Sequence, residues 1–225
     1  IDCNIHFLGF IVSGALILIA VFLLFKIPGY IFRKLLHIVA FTCFTVMMLA
    51  AESWQAAALT SVIIAVVIYP LLAAFEGRKW YAKLFVEKSS GEIKKSLLML
   101  FFMFAAVIAF AWGLLGKPYI AAAAILMWGT GDAAAALIGI PFGGHKVNFP
   151  PINGRKSWEG TAAMFLVSFL AGCGLLCIWG GYPYSIIPAV LSGAVIGAAT
   201  ELFSPSEWDT VTVPLAVLTV LLLLL

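Results

Sequence analysis

Long apolar runs separated by short polar segments are the feature that most constrains how this chain can fold. A helix needs about 20 apolar residues to cross a hydrocarbon core about 30 Å thick. Of the 225 residues, 64% are hydrophobic and only 10% are charged, whereas a soluble domain carries about 25% charged residues. We therefore predict an all-α, polytopic integral membrane protein with seven to eight transmembrane helices, which form a single transmembrane domain over residues 1–225. The candidate spans are 7–25, 35–51, 54–75, 96–115, 119–140, 161–179, 184–200 and 211–225.

The basic residues predict how the spans are oriented. Lys and Arg are retained in cytoplasmic loops, and twelve of the thirteen fall in alternate loops, with only Lys117 on the other side. We expect the polar segments 76–95 and 141–160 to be cytoplasmic, with both termini outside. The first apolar run has no cleavage site and is read as a retained helix. Because the chain begins with Ile1 rather than Met, we expect the native N-terminus to lie upstream.

An acidic residue within the fifth span is the first candidate for chemistry. A charge inside a bilayer costs at least about 2.5 to 3.5 kcal/mol, so such a carboxylate is a functional candidate by default. Asp132 is flanked by Gly129 and Gly131, which we expect to loosen the helix and let a backbone or ligand approach. The alternative is a structural Asp that is paired to a Lys or to backbone.

The segment 141–160 is the most turn-rich part of the chain. Ser157 is a favourable N-cap for the sixth span, with Arg155 and Lys156 before it and Glu159 after it. Exposed N–H groups, a positive helix end and two cations together form an anion site, beside which Glu159 could hold Mg²⁺. The alternative is that Lys156 only marks the cytoplasmic side and Glu159 only favours the helix N-terminus. No Walker motif is present, because Arg155 separates Gly154 from Lys156.

Two further polar groups lie on the same predicted face. Glu201, Glu207 and Asp209 form an acidic segment before the last span, which indicates a bound cation or a partner for Lys and Arg. Arg33, Lys34 and His37 open the second span, where Lys34 and His37 share a helix face. The candidate metal ligands are Asp132, Glu159, Glu201 and Asp209.

Two central motifs carry a resemblance to a known family. The segments GDAAAALIGIPFGGHK and NGRKSWEGTAAMF resemble the CTP-dependent polyprenol kinases, which include dolichol kinase, phytol kinase and the yeast-type diacylglycerol kinase. The similarity extends over roughly residues 30–215, with RKLLH and the segment 201–214 as outer motifs. The family is also distantly similar to the phosphatidate cytidylyltransferases. Where relatives commonly have Asp-Asn before the last span, this chain has Asp209 and Thr210.

The resemblance implies a membrane enzyme that moves the γ-phosphoryl group of CTP to a lipid hydroxyl with Mg²⁺ or another divalent cation. It implies that Asp132 and Glu159 serve metal and catalysis, with Lys156 as the third catalytic residue, while Lys156 and Ser157 contact nucleotide phosphates. The full set expected at the nucleotide is Arg33, Lys34, His37, His145, Lys146, Asn153, Gly154, Arg155, Lys156 and Ser157.

Three functions stay open at this point. The first is a CTP-dependent kinase whose acceptor is a polyprenol, a phytol-like isoprenoid or diacylglycerol. The second is a phosphatidate cytidylyltransferase, in which CTP is attacked at the α-phosphate. The third is an ion-coupled transporter with Asp132 as the ion site, which predicts discontinuous helices in related halves; the sequence has no such internal symmetry. We expect no nucleic-acid partner.

Overall fold

The computed structural model describes residues 28–76, 78, 92–150, 152, 154–205 and 208–225. These residues form helices joined by short connections. Two of the helices change pitch: α3 (Glu92–Val107) continues as a π-helix over Ile108–Leu114, and α5 (Trp158–Cys173) continues in the same way over Gly174–Trp179. The helices in the described part of the chain are α1 (Gly29–Ala50), α2 (Trp54–Phe75), α3 (Glu92–Val107), α4 (Pro118–Phe142), α5 (Trp158–Cys173), α6 (Ile187–Phe203) and α7 (Asp209–Leu224).

The prediction of an all-α membrane fold is confirmed. Six helices of the described residues are long and apolar enough to cross a membrane, and α7 is a shorter apolar helix. No β-strand occurs in these residues, which contain only an isolated bridge between Lys146 and Ser157. The predicted first span, 7–25, lies outside the described residues, as does most of the segment 76–95.

Helix α4 is the centre of the bundle, and it packs mainly against α1, α5 and α7. Its first half is rich in alanine, and the side chains of Ala121–Ala124 are completely buried. Small side chains let neighbouring helix backbones approach closely, which is how helices associate where lipid surrounds them. Any polar group on the second half of α4 therefore lies among several helices.

An aromatic cluster joins α1, α3 and α4 beneath the polar end of the bundle. The Phe41 ring makes edge contacts with Phe104 at 4.9 Å and with Trp128 at 4.8 Å between ring centroids. A Cβ atom on Gly129 would overlap the Phe41 ring, and one on Gly131 would overlap the Ser168 hydroxyl. Helix α4 stays helical through both glycines, so these residues allow neighbouring side chains to approach closely within a continuous helix.

The ends of α4 and α5 cross tightly at the same end of the bundle. A Cβ atom on Gly160 would lie 2.8 Å from the carbonyl oxygen of Ala135, and one on Gly139 would lie 3.0 Å from the Ser157 hydroxyl. The buried Ser157 hydroxyl accepts a hydrogen bond from the Gly160 N–H at 3.2 Å. The prediction that Ser157 is the N-cap of this helix is thus confirmed.

Helix α2 presents an apolar face outward. Leu59, Ile63, Val66 and Leu71 are all more than half exposed. A patch of this kind is unusual on a soluble monomer, and it is the surface that a lipid-facing helix requires.

Candidate functional site

Charged side chains from five parts of the fold meet at one end of the bundle. They come from the first turns of α1, the second half of α4, the loop before α5, the end of α6 and the start of α7. We call this group the central polar cluster, and its members are Lys34, His37, Asp132, Lys156, Glu201 and Asp209.

Asp132 is paired with two residues of α1. The Lys34 Nζ atom donates a hydrogen bond to Asp132 Oδ2 at 2.6 Å, and the His37 Nε2 atom lies 3.4 Å from the same oxygen. His37 Nε2 is buried, and in the part of the chain that the structure describes it has no hydrogen-bond partner. The predicted shared face of Lys34 and His37 is confirmed, since both side chains contact one carboxylate.

The position of His37 depends on the aromatic cluster below it. Its ring stacks on Phe41 with 4.4 Å between centroids, and Phe41 is seated against Gly129. The packing of α1 on α4 therefore extends from the apolar core to the side chains around Asp132.

Lys156 and Glu201 form the second ion pair of the cluster. Lys156 Nζ lies 2.8 Å from Glu201 Oε1, and it also donates to the backbone carbonyl of Glu201. The two side chains are only 15% and 10% exposed, so this is a largely desolvated pair that ties the loop before α5 to the end of α6.

Asp209 has a different environment from the other two carboxylates. Its charge interacts with those of Asp132, Glu201, Lys156 and Lys34, yet among the described residues no lysine or arginine lies within ion-pair distance of it. The described residues of the cluster thus include three carboxylates but two ammonium groups. Asp209 is the carboxylate that neither ammonium group contacts, so a further positive charge could bind there.

The loop between α4 and α5 has a fixed backbone. The Val147 N–H donates to the Lys156 carbonyl at 2.9 Å, and the Gly154 N–H donates to the Val147 carbonyl at 2.9 Å. Gly154 has a φ of +77°, which a residue with a Cβ atom adopts only with strain. Val147 and Ile152 are buried against Leu202, so the loop is held on α6.

Glu159 lies in a separate contact group beside this loop. Its carboxylate accepts a hydrogen bond from the His145 backbone N–H at 3.0 Å and lies 2.6 Å from His145 Nδ1. The neighbouring Lys146 donates to the Gly139 carbonyl at 3.2 Å. Glu159 therefore fastens the loop to the start of α5, whereas Asp132 contacts α1.

The other residues expected at the nucleotide lie on α1 and on the loop before α5. Arg33 lies in the second turn of α1, and Arg155 is exposed next to Lys156. The Ser157 hydroxyl is buried in its capping role. Asn153 and Glu207 lie outside the described residues.

The cluster has a donor set suited to a metal that also binds phosphate. In the described part of the chain, no three His, Cys, Asp or Glu side chains come close enough to hold a metal by themselves. Mg²⁺ in phosphoryl-transfer sites needs only one or two carboxylates, because phosphate oxygens and water complete its shell. Among the described residues Asp209 has no ammonium group at ion-pair distance, and its charge interacts with that of Asp132, so Asp209 is the carboxylate of the cluster that could hold such a metal.

Sequence reasoning identified the members of the central polar cluster but missed how they pair. Lys34 and Asp132 are 98 positions apart, and Lys156 and Glu201 are 45 apart. The available signal was the cost of a lone charge in the bilayer, which requires a partner of opposite sign at the same depth. It also missed the hydroxyl contact between Ser204 and Thr212, at 2.6 Å, which fixes the start of α7 to the end of α6.

Comparison with known proteins agrees with this architecture. The chain is similar to a phytol kinase of Synechocystis sp., with 35% identity over 197 residues that cover 84% of this chain and 76% of the relative. No protein-family model matches the chain. No solved structure matches it either.

A bundle of apolar helices is not by itself diagnostic, but this degree of identity over most of both chains places the chain in the class of membrane-bound lipid-alcohol kinases. The chain belongs to the polyprenol/phytol kinase family.

Proposed function

We propose that this protein transfers the γ-phosphoryl group of CTP to the hydroxyl group of a membrane-embedded isoprenoid alcohol, with a phytol-like alcohol as the first acceptor to test. The observation that carries the proposal is the central polar cluster, in which lysines and carboxylates converge at one end of an apolar bundle. The similarity to a phytol kinase supports the acceptor class. The choice of CTP comes from the resemblance of the two central motifs to the CTP-dependent polyprenol kinases.

Phosphoryl transfer needs positioning and charge neutralisation more than covalent chemistry from the protein. In this proposal the ammonium groups of Lys34 and Lys156 bind and neutralise the phosphates. They are preorganised for this role because each is already held by a carboxylate, at 2.6 and 2.8 Å respectively. Fixed charges in a site with little water stabilise a transition state more strongly than mobile charges in bulk water.

Asp209 and Asp132 are the residues that we propose would hold Mg²⁺. The metal, when bound, would supply positive charge to the phosphate oxygens. Asp132 lies on a membrane-spanning helix close to its polar end, so we propose that it also orients the lipid hydroxyl, which reaches the cluster from the bilayer.

The loop that carries His145, Lys146 and Arg155 is proposed to receive the nucleotide from the cytoplasm. His145 is 84% exposed, and Arg155 is exposed as well. Glu159 keeps this loop on the start of α5 through its two contacts with His145. The distribution of Lys and Arg supports a cytoplasmic location for this end of the bundle, and the resemblance to compact members of the family supports a bacterial inner membrane.

The test is a dual-label assay on purified protein in lipid with Mg²⁺. With γ-labelled CTP and a panel of farnesol, phytol, undecaprenol, dolichol and diacylglycerol, we expect label in a lipid monophosphate, most strongly with an isoprenoid alcohol. With α-labelled CTP and phosphatidate, we expect no labelled lipid. A labelled CDP-lipid would instead identify a cytidylyltransferase, and no labelled lipid in either arm would refute both enzymes.

A further inference from the structure

The ammonium group of Lys156 turns inward although it belongs to a loop at the polar end of the bundle. Its side chain is 15% exposed, whereas the adjacent Arg155 is exposed. A lysine near a membrane surface ordinarily extends its charged end toward water. A specific interaction must therefore hold Lys156 in the cluster.

Among the described residues, Glu201 at the end of α6 makes the direct contacts with Lys156 Nζ, while the charges of Asp132 and Asp209 attract it from farther away. Both the Glu201 carboxylate, at 2.8 Å, and the Glu201 backbone carbonyl accept hydrogen bonds from Lys156 Nζ. Burying two opposite charges has a desolvation cost that their attraction often fails to recover. A pair of this kind is therefore weak support for stability and better explained by a requirement for a fixed ammonium position.

The same end of α6 also holds the backbone of the loop. Val147 and Ile152 pack on Leu202, and the rings of Phe149 and Phe203 lie 5.3 Å apart. The last turn of α6 thus determines both where the loop runs and where the Lys156 side chain points.

We propose that Glu201 is a positioning residue, which holds the Lys156 ammonium group inside the central polar cluster so that it can receive nucleotide phosphates. This inference rests on the proposed function. It assigns Glu201 the role of positioning Lys156, whereas the sequence predicted that Glu201 is a metal ligand. Asp209 differs from Glu201 in having no ammonium group at ion-pair distance among the described residues, so the two acids divide the roles of metal binding and lysine positioning.

The two roles for Glu201 predict opposite effects on nucleotide binding without metal. If Glu201 positions Lys156, Glu201→Gln weakens a charge-assisted contact, and the dissociation constant for CTP in EDTA should rise by about tenfold. If Glu201 is a metal ligand, its neutralisation removes a negative charge from the neighbourhood of the phosphates, and metal-free CTP should bind equally well or more tightly.

The experiment measures binding of labelled CTP in EDTA, by equilibrium dialysis, for the unaltered protein, Glu201→Gln, Lys156→Ala and the double variant. We expect the double variant to bind no more weakly than Lys156→Ala, because residues that act through one contact are not additive. Glu52→Gln is the matched control, since Glu52 is exposed at the other end of the bundle. If Glu201→Gln does not fold, Glu201→Asp replaces it; this variant keeps the charge but shortens the reach, and it should also weaken binding.

The outcomes separate the inference from the proposed function. If the unaltered protein binds CTP neither in EDTA nor with Mg²⁺, the proposed donor is wrong and the inference fails with it. If it binds CTP only with Mg²⁺, Lys156 does not hold the phosphates without metal and the positioning role is refuted. If the unaltered protein binds CTP and the Glu201 variant binds as tightly or more tightly, the positioning role alone is refuted. Weaker binding by Glu201→Gln, together with a double variant that binds no more weakly than Lys156→Ala, supports the positioning role.

Discussion

Replacing the ion pair between Lys34 and Asp132 separates a structural role for these residues from a functional one. At 2.6 Å between the charged atoms and an effective dielectric constant of about 20, the Coulomb attraction is about 6 kcal/mol. Desolvation removes much of this, but loss of one partner from a buried pair still costs about 3 to 5 kcal/mol because the other charge is left uncompensated. The side chains are 17% and 23% exposed, so we expect the lower end, about 3 kcal/mol.

The variants are Lys34→Met, Asp132→Leu and the double replacement, each compared with the unaltered protein. We expect each single variant to lower the free energy of unfolding by about 3 kcal/mol. The double variant should return to within about 1 kcal/mol of the original value, because an apolar pair of similar volume replaces the ion pair without a lone charge. All three should lose at least about 100-fold in phosphoryl transfer, since the charges are then absent from the cluster.

The assay combines equilibrium unfolding in mixed micelles, followed by circular dichroism, with initial rates of lipid phosphorylation. The recovery of stability without recovery of activity is the decisive result. A double variant that retained activity would show that the pair serves the fold alone. Single variants that changed the unfolding free energy by less than about 0.5 kcal/mol would show that the pair is as weak as an exposed surface ion pair.

Two glycine substitutions and one carboxylate substitution test the packing around α4 and the loop before α5. Gly129→Ala should reduce the stability measured by thermal unfolding by about 1 to 3 kcal/mol, because the added Cβ atom meets the Phe41 ring. Gly174→Ala is the control, since Gly174 has open space around it, and this variant should be neutral or stabilising. Gly154→Ala should reduce stability by about 1 kcal/mol through backbone strain, and it should raise the KM for CTP. Gly116→Ala is the control, because Gly116 also has a positive φ but lies at the other end of the bundle. It should reduce stability by a similar amount and leave the KM unchanged. Glu159→Gln should lower kcat by less than about tenfold, because the amide oxygen can still accept a hydrogen bond from the loop N–H. A much larger loss of kcat, together with a higher Mg²⁺ requirement, would indicate instead that Glu159 is a metal ligand.

Much of the fold could be predicted because helix length in a membrane follows from bilayer thickness. The predicted span 54–75 coincides with α2, and 119–140 differs from α4 by only a few residues. The prediction is less accurate for the start of α1, because the span predicted to begin at residue 35 is already helical from Gly29. A span is predicted to end where a charged residue interrupts the apolar run. Lys34 lies within the helix nevertheless, because its charge is neutralised by Asp132.

The site could be predicted in its members but not in its pairing. Ser157 as an N-cap depends on local sequence alone, and that prediction is confirmed. The partner of Asp132 depends on which helix packs against α4, and spacing along the chain contains no information about that contact. The resemblance implies one role in metal binding and catalysis for Glu159 and Asp132, yet the Glu159 side chain contacts His145 and the Asp132 side chain contacts Lys34.

The most direct test of the central claim compares Asp132→Asn with Glu52→Gln in lipid, using γ-labelled CTP, Mg²⁺ and phytol. The account predicts that the Glu52 variant forms labelled lipid monophosphate and CDP in equal amounts at the unaltered rate. It predicts that Asp132→Asn remains inserted and helical but transfers label at least about 100-fold more slowly. Undiminished transfer by Asp132→Asn would contradict the claim that the central polar cluster is where the phosphoryl group is transferred.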